Sequence, residues 1–251
     1  VEDVEIRELR ALGEYEAAYR LIADIWGAPD AHAPVSVEMM LALAHTGNYV
    51  AGAYRDGRMV GVSVAFLAAP AGAALHSHVT GAAAGRGVGL ALKEHQRDWA
   101  LARGLRRITW TFDPLVRRNA HFNLAKLGAR VEEYLPSFYG PMADAINGGD
   151  ESDRVLAAWP IAEPAAPPAV PPDAPLALAD RDGRPAAGPR DAATVLVQLP
   201  ADIEGLRRTD PGAARAWRLA LREVLGGLLA EGARVAGFHD RSAYVVERSR
   251  A

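Results

Sequence analysis

Apolar and charged residues alternate over positions 4–9, the pattern of a half-buried strand. Positions 14–26 then place Tyr15, Ala18, Tyr19, Ile22, Ile25 and Trp26 at helical spacing, and Gly27 with Pro29 ends the run. Ser36 is placed to cap a second helix reaching His45, with Val37, Met40, Leu41 and Ala44 on one side. Positions 48–54 and 59–67 flank Arg55-Asp56-Gly57-Arg58, where Asp-Gly suits a tight hairpin turn. A strand over 73–79, a long helix over 86–103 and a strand over 106–112 follow. A helix from Asn119 to Gly128 comes next, then a strand over 129–139 that breaks at Pro136, and a strand over 153–161 able to pair with it.

Positions 162–175 are rich in proline, which cannot donate to a ladder or continue a helix, so they read as a linker. Beyond it the pattern predicts a short hairpin turning at Asp182-Gly183, a strand over 193–199, a helix over 210–231 and a second hairpin over 234–247. That is a smaller β-α-β-β unit. The predicted division is therefore 1–161, a linker over 162–175, and 176–251, with the last unit packing on the first or on a dimer mate and completing a pocket there.

Composition narrows the function classes. The 251 residues are 50% hydrophobic and 24% charged, ordinary for a globular chain with ample core. A net charge of −3 gives no basic face for nucleic acid. No apolar run is long enough to span a membrane, and the first ten residues are too charged for a signal peptide, so the expected location is cytoplasmic. With no cysteine, disulfides, thiolate metal sites and a cysteine nucleophile are ruled out.

The chemistry concentrates between Leu75 and Gln96. A strand runs into a loop so poor in side chains that backbone amides are its working groups, and an amphipathic helix follows. Gly85, Gly87 and Gly89 permit positive φ and let successive N–H groups converge on an oxyanion, beside the positive end of the helix dipole. A phosphate fits such a turn. The spacing is neither that of a dinucleotide fold nor that of a P-loop.

Ala84-Gly85-Arg86-Gly87-Val88-Gly89 instead resembles the pyrophosphate loop of the GNAT superfamily of acyl-CoA-dependent N-acyltransferases, Arg/Gln-x-x-Gly-x-Gly/Ala, with Ala84 where Arg or Gln is usual and Arg86 able to restore the charge. Asn119-Ala120-His121-Phe122-Asn123-Leu124-Ala125-Lys126-Leu127-Gly128-Ala129 resembles the helix that follows in that family. The element order over residues 4–161 also resembles its fold. The resemblance implies an α/β (α+β) architecture, a mixed, mostly antiparallel sheet flanked by helices whose central strands splay to admit a pantetheine arm. It implies acetyl-CoA or another acyl-CoA as co-substrate, a small amine such as an amino acid as acceptor, direct attack without an acyl-enzyme, no metal and a homodimer as one possible assembly. Val79, Ala84, Gly85, Arg86, Gly87, Val88, Gly89 and Leu90 would hold the coenzyme, and Arg117 and Asn119 would reach its phosphates or pantetheine. A non-catalytic acyl-CoA-binding protein is the alternative.

Acyl transfer needs a neutral amine, a polarised thioester carbonyl and a proton for the leaving thiolate. Val79 holds the family's V-x-P-x-Y-R position, with Gly81 and Ala83 replacing the proline and the aromatic, and a backbone N–H near it can polarise the carbonyl. His76 and His78 share a sheet face by alternation. They are open to three roles: acid/base work, substrate lining or structure, and a metal pair that lacks a visible third ligand. The family's proton donor is a Tyr four residues before the helix-ending Gly, and here Leu124 stands there, which leaves Tyr134 and Tyr139 as nearest candidates. Arg154, in Ser152-Asp153-Arg154, and Arg118 are candidates for holding a carboxylate, as on a succinyl donor. Surface pairing and packing are the commoner fates of such arginines, and of Trp217, Arg218 and Arg222 on the last helix.

Overall fold

The computed structural model describes residues 4–27, 34–82, 87–140, 151–163 and 167–248. The chain divides into two compact units, with the boundary between Trp110 and Thr111.

The first unit contains β1 (Glu5–Glu8), α1 (Leu12–Trp26), α2 (Val37–His45), β2 (Tyr49–Arg55), β3 (Arg58–Ala68), β4 (Ala74–Ala82), α3 (Val88–Leu101) and the start of β5 (Arg107–Phe112). The strands lie in the order β1-β2-β3-β4-β5. They are antiparallel as far as β4, and β5 then runs parallel to β4. Local chemistry sets the helix starts. The Glu14 carboxylate accepts the amides of Arg10 and Ala11, and the Ser36 hydroxyl accepts that of Met39 at 3.2 Å.

One core lies where α1 and α2 meet the sheet, formed by Tyr15, Ala18, Ile22, Met40, Val50, Val62, Val64 and Val79. A second, centred on Ala53, Val88 and Leu92, lies under α3. β4 runs three residues past the expected end at Val79. Gly81 explains the extension, since a Cβ there would stand 2.9 Å from both Ile25 and Trp26. The bare backbone lets the end of α1 close on the strand.

The second unit begins at Thr111. It comprises α4 (Arg117–Ala120) continuing into a π-helical turn (His121–Lys126), the antiparallel pair β6 (Arg130–Leu135) and β7 (Arg154–Pro160), then β8 (Leu176–Arg181), β9 (Arg184–Ala187) and β10 (Thr194–Gln198). After these come α5 (Ile203–Thr209), α6 (Pro211–Leu221), a second π-helical turn (Arg222–Gly226), α7 (Gly227–Ala230), β11 (Arg234–His239) and β12 (Ala243–Glu247). A five-stranded sheet has the order β11-β12-β10-β8-β9. α5 is absent from the sequence reading because seven residues containing Gly205 are too short to show a period. Asp202 caps it through the Gly205 amide at 2.8 Å, and Asp210 caps α6 through that of Ala213 at 2.9 Å.

This unit is knitted around a buried carboxylate. Asp113 takes both terminal nitrogens of Arg218 at 2.9 Å each and Nη2 of Arg207 at 2.5 Å. Burial alone would push the Asp113 pKa up, but the two guanidinium groups overturn that and hold it well below the usual carboxylate range. The Tyr244 hydroxyl adds a 2.7 Å bond to the Pro114 carbonyl. α5, α6 and β12 are thus tied to the segment just after β5.

Two expected outcomes follow from this cluster. Asp113→Ala strands two buried guanidinium groups and costs about 3–5 kcal/mol, read as a lowered urea midpoint. A 173–251 fragment, which lacks Asp113, gives no cooperative unfolding transition, and a sharp one would show that the cluster does not hold the unit.

Candidate active site

The site begins at the start of α3. Gly87 caps the helix with φ +105°, a conformation that favours glycine, and no side chain caps the first turn. At Gly87 and Gly89 a Cβ would meet no heavy atom within 4 Å, so the backbone at those two positions faces open space. Val88 is buried under the helix, and Leu90 is half-buried. Ala84, Gly85 and Arg86 lie outside the described residues. The part described suits the diphosphate of a coenzyme, since among the described residues no capping side chain bonds to the first-turn amides.

Upstream, β4 and β5 pair at Ala74↔Arg107, Leu75↔Ile108 and His76↔Thr109, the extent of their register among the described residues, while β4 continues to Ala82. Just past the last pair β4 is bulged. Val64 faces Val79 but Ala65 faces Ser77, leaving His78 as the extra residue. Val79 buries its side chain in the α1/α2 core.

Both histidine rings flank Phe66, with centroids 5.2 Å away for His76 and 5.9 Å for His78. His76 Nδ1 lies 3.0 Å from Thr109 Oγ1. Burial, aided by the nearby His78 and Lys93, lowers its pKa to about 4, so it is neutral at neutral pH and a weak proton acceptor. His78 Nε2 lies 3.3 Å from the Pro34 carbonyl. Donation there makes Nε2 the protonated nitrogen and leaves the lone pair on Nδ1.

The other expected residues fall in the second unit. The Tyr134 hydroxyl donates to buried Asp153 at 2.7 Å, and burial, reinforced by that carboxylate, pushes its pKa upward. Its proton is committed to structure. Tyr139 is 46% exposed, with its hydroxyl 3.3 Å from Thr111 Oγ1. Leu124 is buried in the π-helical turn.

Arg117 donates to the Leu199 carbonyl, and Arg118 forms a two-pronged pair with Glu204. Asn119 is half-buried on α4. Arg154 is buried rather than at an open edge, donates to the Asp153 carbonyl at 2.9 Å and lies 5.6 Å from the Tyr139 ring centroid. Among the described residues no three His, Asp or Glu side chains gather as a metal site would require.

Lys93 was not singled out in the sequence. It is 5% exposed, and its Nζ donates to Ser77 Oγ at 2.8 Å and to Gln96 Oε1 at 3.4 Å while lying 4.0 Å from the Trp110 ring centroid. Burial lowers its pKa to about 7. The available signal was Gln96, a polar residue at helical spacing from Leu92 and Trp99 on the inward stripe of α3.

Residues 15–129 match the model of the acetyltransferase (GNAT) family. That stretch, a little under half of the chain, is thus similar to the acetyltransferase (GNAT) family, whose activity class is acyl transfer from CoA. Three solved structures share the fold. The aminoglycoside 6'-acetyltransferase type Ii is 17% identical, with 62% of this chain and 97% of that one covered at a TM-score of 0.50. The ribosomal-protein-S18-alanine N-acetyltransferase of Escherichia coli is 17% identical, with 63% and 94% covered at 0.51. The protein yncA of Salmonella typhimurium, solved with its cofactor acetyl-CoA, is 16% identical, with 67% and 100% covered at 0.50. A comparison with curated sequences finds no match.

Lys93 generates a pH prediction. Its folded pKa is depressed, so between about pH 7 and pH 10 the unfolded chain holds a proton that the folded chain releases. Stability therefore rises with pH, by up to about 1.4 kcal/mol per unit. Above pH 10 the buried hydroxyls of Tyr49, Tyr134 and Tyr244, whose pKa values burial raises, reverse the slope. Urea midpoints rise from pH 7 to 9 in the wild type and stay flat in Lys93→Met.

Proposed function

We propose that the protein moves an acyl group, acetyl or succinyl, from CoA to the amine of a small molecule such as an amino acid, by direct attack and in the cytoplasm. The observation that carries the reading is the parting of β4 from β5 past His76↔Thr109, ahead of an α3 first turn open over Gly87 and Gly89. In this reading Ala84, Gly85, Arg86, Gly87, Val88, Gly89 and Leu90 grip the diphosphate through backbone N–H groups, and the thioester lies in the gap beside Val79, where a backbone amide polarises its carbonyl.

His78 is the better base, since its Nδ1 lone pair remains available while His76 is a weak acceptor. It takes a proton from the ammonium directly or through water. The neutral amine attacks the carbonyl carbon, the tetrahedral intermediate collapses, and the C–S bond breaks. The thiolate leaves with the proton that the attacking nitrogen sheds, without a dedicated acid, Leu124 standing where the family has its tyrosine. Arg117 and Arg118 are committed to Leu199 and Glu204, and Arg154 is buried and donates to the Asp153 carbonyl, so the carboxylate of a succinyl donor is left to the donor comparison below. The burial of Leu124 favours one second reading, a protein that binds acyl-CoA without turning it over.

Calorimetry with CoA and a thiol-release assay over an amine panel, run with acetyl- and succinyl-CoA, separate these readings. The expected result is CoA binding with turnover. Binding without turnover selects the second reading, and absence of binding ends both. His78→Ala is expected to lower kcat/KM by roughly 100-fold; an unchanged kcat/KM takes His78 out of the base role.

A further inference from the structure

The interface between α3 and the sheet is apolar at Val88, Leu92 and Trp99 but contains a closed polar circuit. Lys93 Nζ donates to Ser77 Oγ at 2.8 Å, and Ser77 Oγ lies 3.4 Å from Thr80 Oγ1. Thr80 Oγ1 is 2.8 Å from Ser63 Oγ, which accepts Gln96 Nε2 at 3.1 Å, and Gln96 Oε1 returns to Lys93 at 3.4 Å. Ser77 and Thr80 meet on one face, three residues apart, because the bulge at His78 shifts the alternation between them.

The position of the circuit is specific. Ser77 is the first residue of β4 beyond the last pair with β5, and Trp110 is the first residue of β5 beyond it. The Lys93 ammonium touches both, with an oxygen of one at 2.8 Å and the ring of the other at 4.0 Å from its centroid. Its three donor directions are taken by Ser77, Gln96 and the indole face. A leucine or methionine would pack this interface without the cost of burying an amine. A satisfied buried network, by contrast, selects one arrangement of the elements it joins.

We propose that Lys93 is a positioning residue, a strut from α3 that fixes the opening between β4 and β5 and, through Ser77, the bulge that carries His78. The inference rests on the acyl-transfer reading for its consequence and on geometry alone for the strut. Lys93 meets Ser77 on β4, Trp110 on β5 and Gln96 on α3 directly, Thr80 and Ser63 close the circuit through Ser77 and Gln96, and His76 is a titratable neighbour that feels its charge.

The test uses the full chain with Lys93→Met, Lys93→Arg, Ser77→Ala and the Lys93→Met/Ser77→Ala double variant. CoA affinity of Lys93→Met is expected within about threefold of wild type, because the loop amides are untouched. Its kcat is expected to fall about 10- to 100-fold with little change in KM for the amine, since small misplacement of reacting groups acts on turnover. Lys93→Arg recovers part of the loss, and the double variant is no slower than Lys93→Met. Amide exchange in residues 77–82 and at Trp110 rises in Lys93→Met while that of α1 does not. Wild-type kcat in Lys93→Met, or a loss of CoA affinity as large as the loss of kcat, overturns the proposal. If the wild type turns over no thioester the acyl-transfer reading fails, and exchange then decides the strut, unchanged protection of 77–82 overturning it.

Discussion

Two neighbouring parallel strands that share a register for three residues and then separate impose the governing constraint on the first unit. Leaving a ladder early releases backbone N–H and C=O groups that a continuous sheet would satisfy, so a gap persists only where the surroundings hold it. Here the two faces do so differently. On one, α1 and α2 press an apolar core against Val62, Val64 and Val79, and Gly81 lets the end of α1 come close. On the other, α3 sends Lys93 and Gln96 into a polar circuit with both adjoining strands.

The bulge at His78 links those faces. In a regular strand Ser77 and Thr80 would point to opposite sides, and Val79 would join Ser77. One extra residue puts Ser77 and Thr80 in the polar circuit and Val79 in the apolar core, while His76 and His78 both border Phe66. A single register shift thus serves helix packing, strand separation and placement of the candidate base.

Much of this could be read from the chain. Periodicity located α1, α2, α3 and the β2–β3 hairpin within a few residues, and the small-residue loop with the Asn119–Gly128 segment led to the superfamily that the family comparison bears out. What the pattern could not show was two-body chemistry. A bulge is a mismatch between strands, invisible in either alone, and Lys93 looks like any helical lysine until Ser77 and Trp110 are brought to it. Arg154 carried the same ambiguity in reverse, since a clamp at an open edge and a buried guanidinium beside Asp153 have one sequence. α5 escaped because seven residues carry too little period, leaving its Asp202 cap as the only local sign.

The two units bury cations in chemically opposite ways, and the difference bears on function. Arg218 and Arg207 both pair with the Asp113 carboxylate, so each cation has an anionic partner and the arrangement behaves as a permanent joint. Lys93 meets a hydroxyl, an amide and an indole rather than a carboxylate, so the cost of burying its charge remains and its pKa falls to about 7. A joint needs the first kind of burial. The second lowers stability at neutral pH, where methionine would not. Its place beside the gap, on the helix that starts at the candidate coenzyme loop, is understandable if the ammonium sets a spacing that apolar packing would leave free to close.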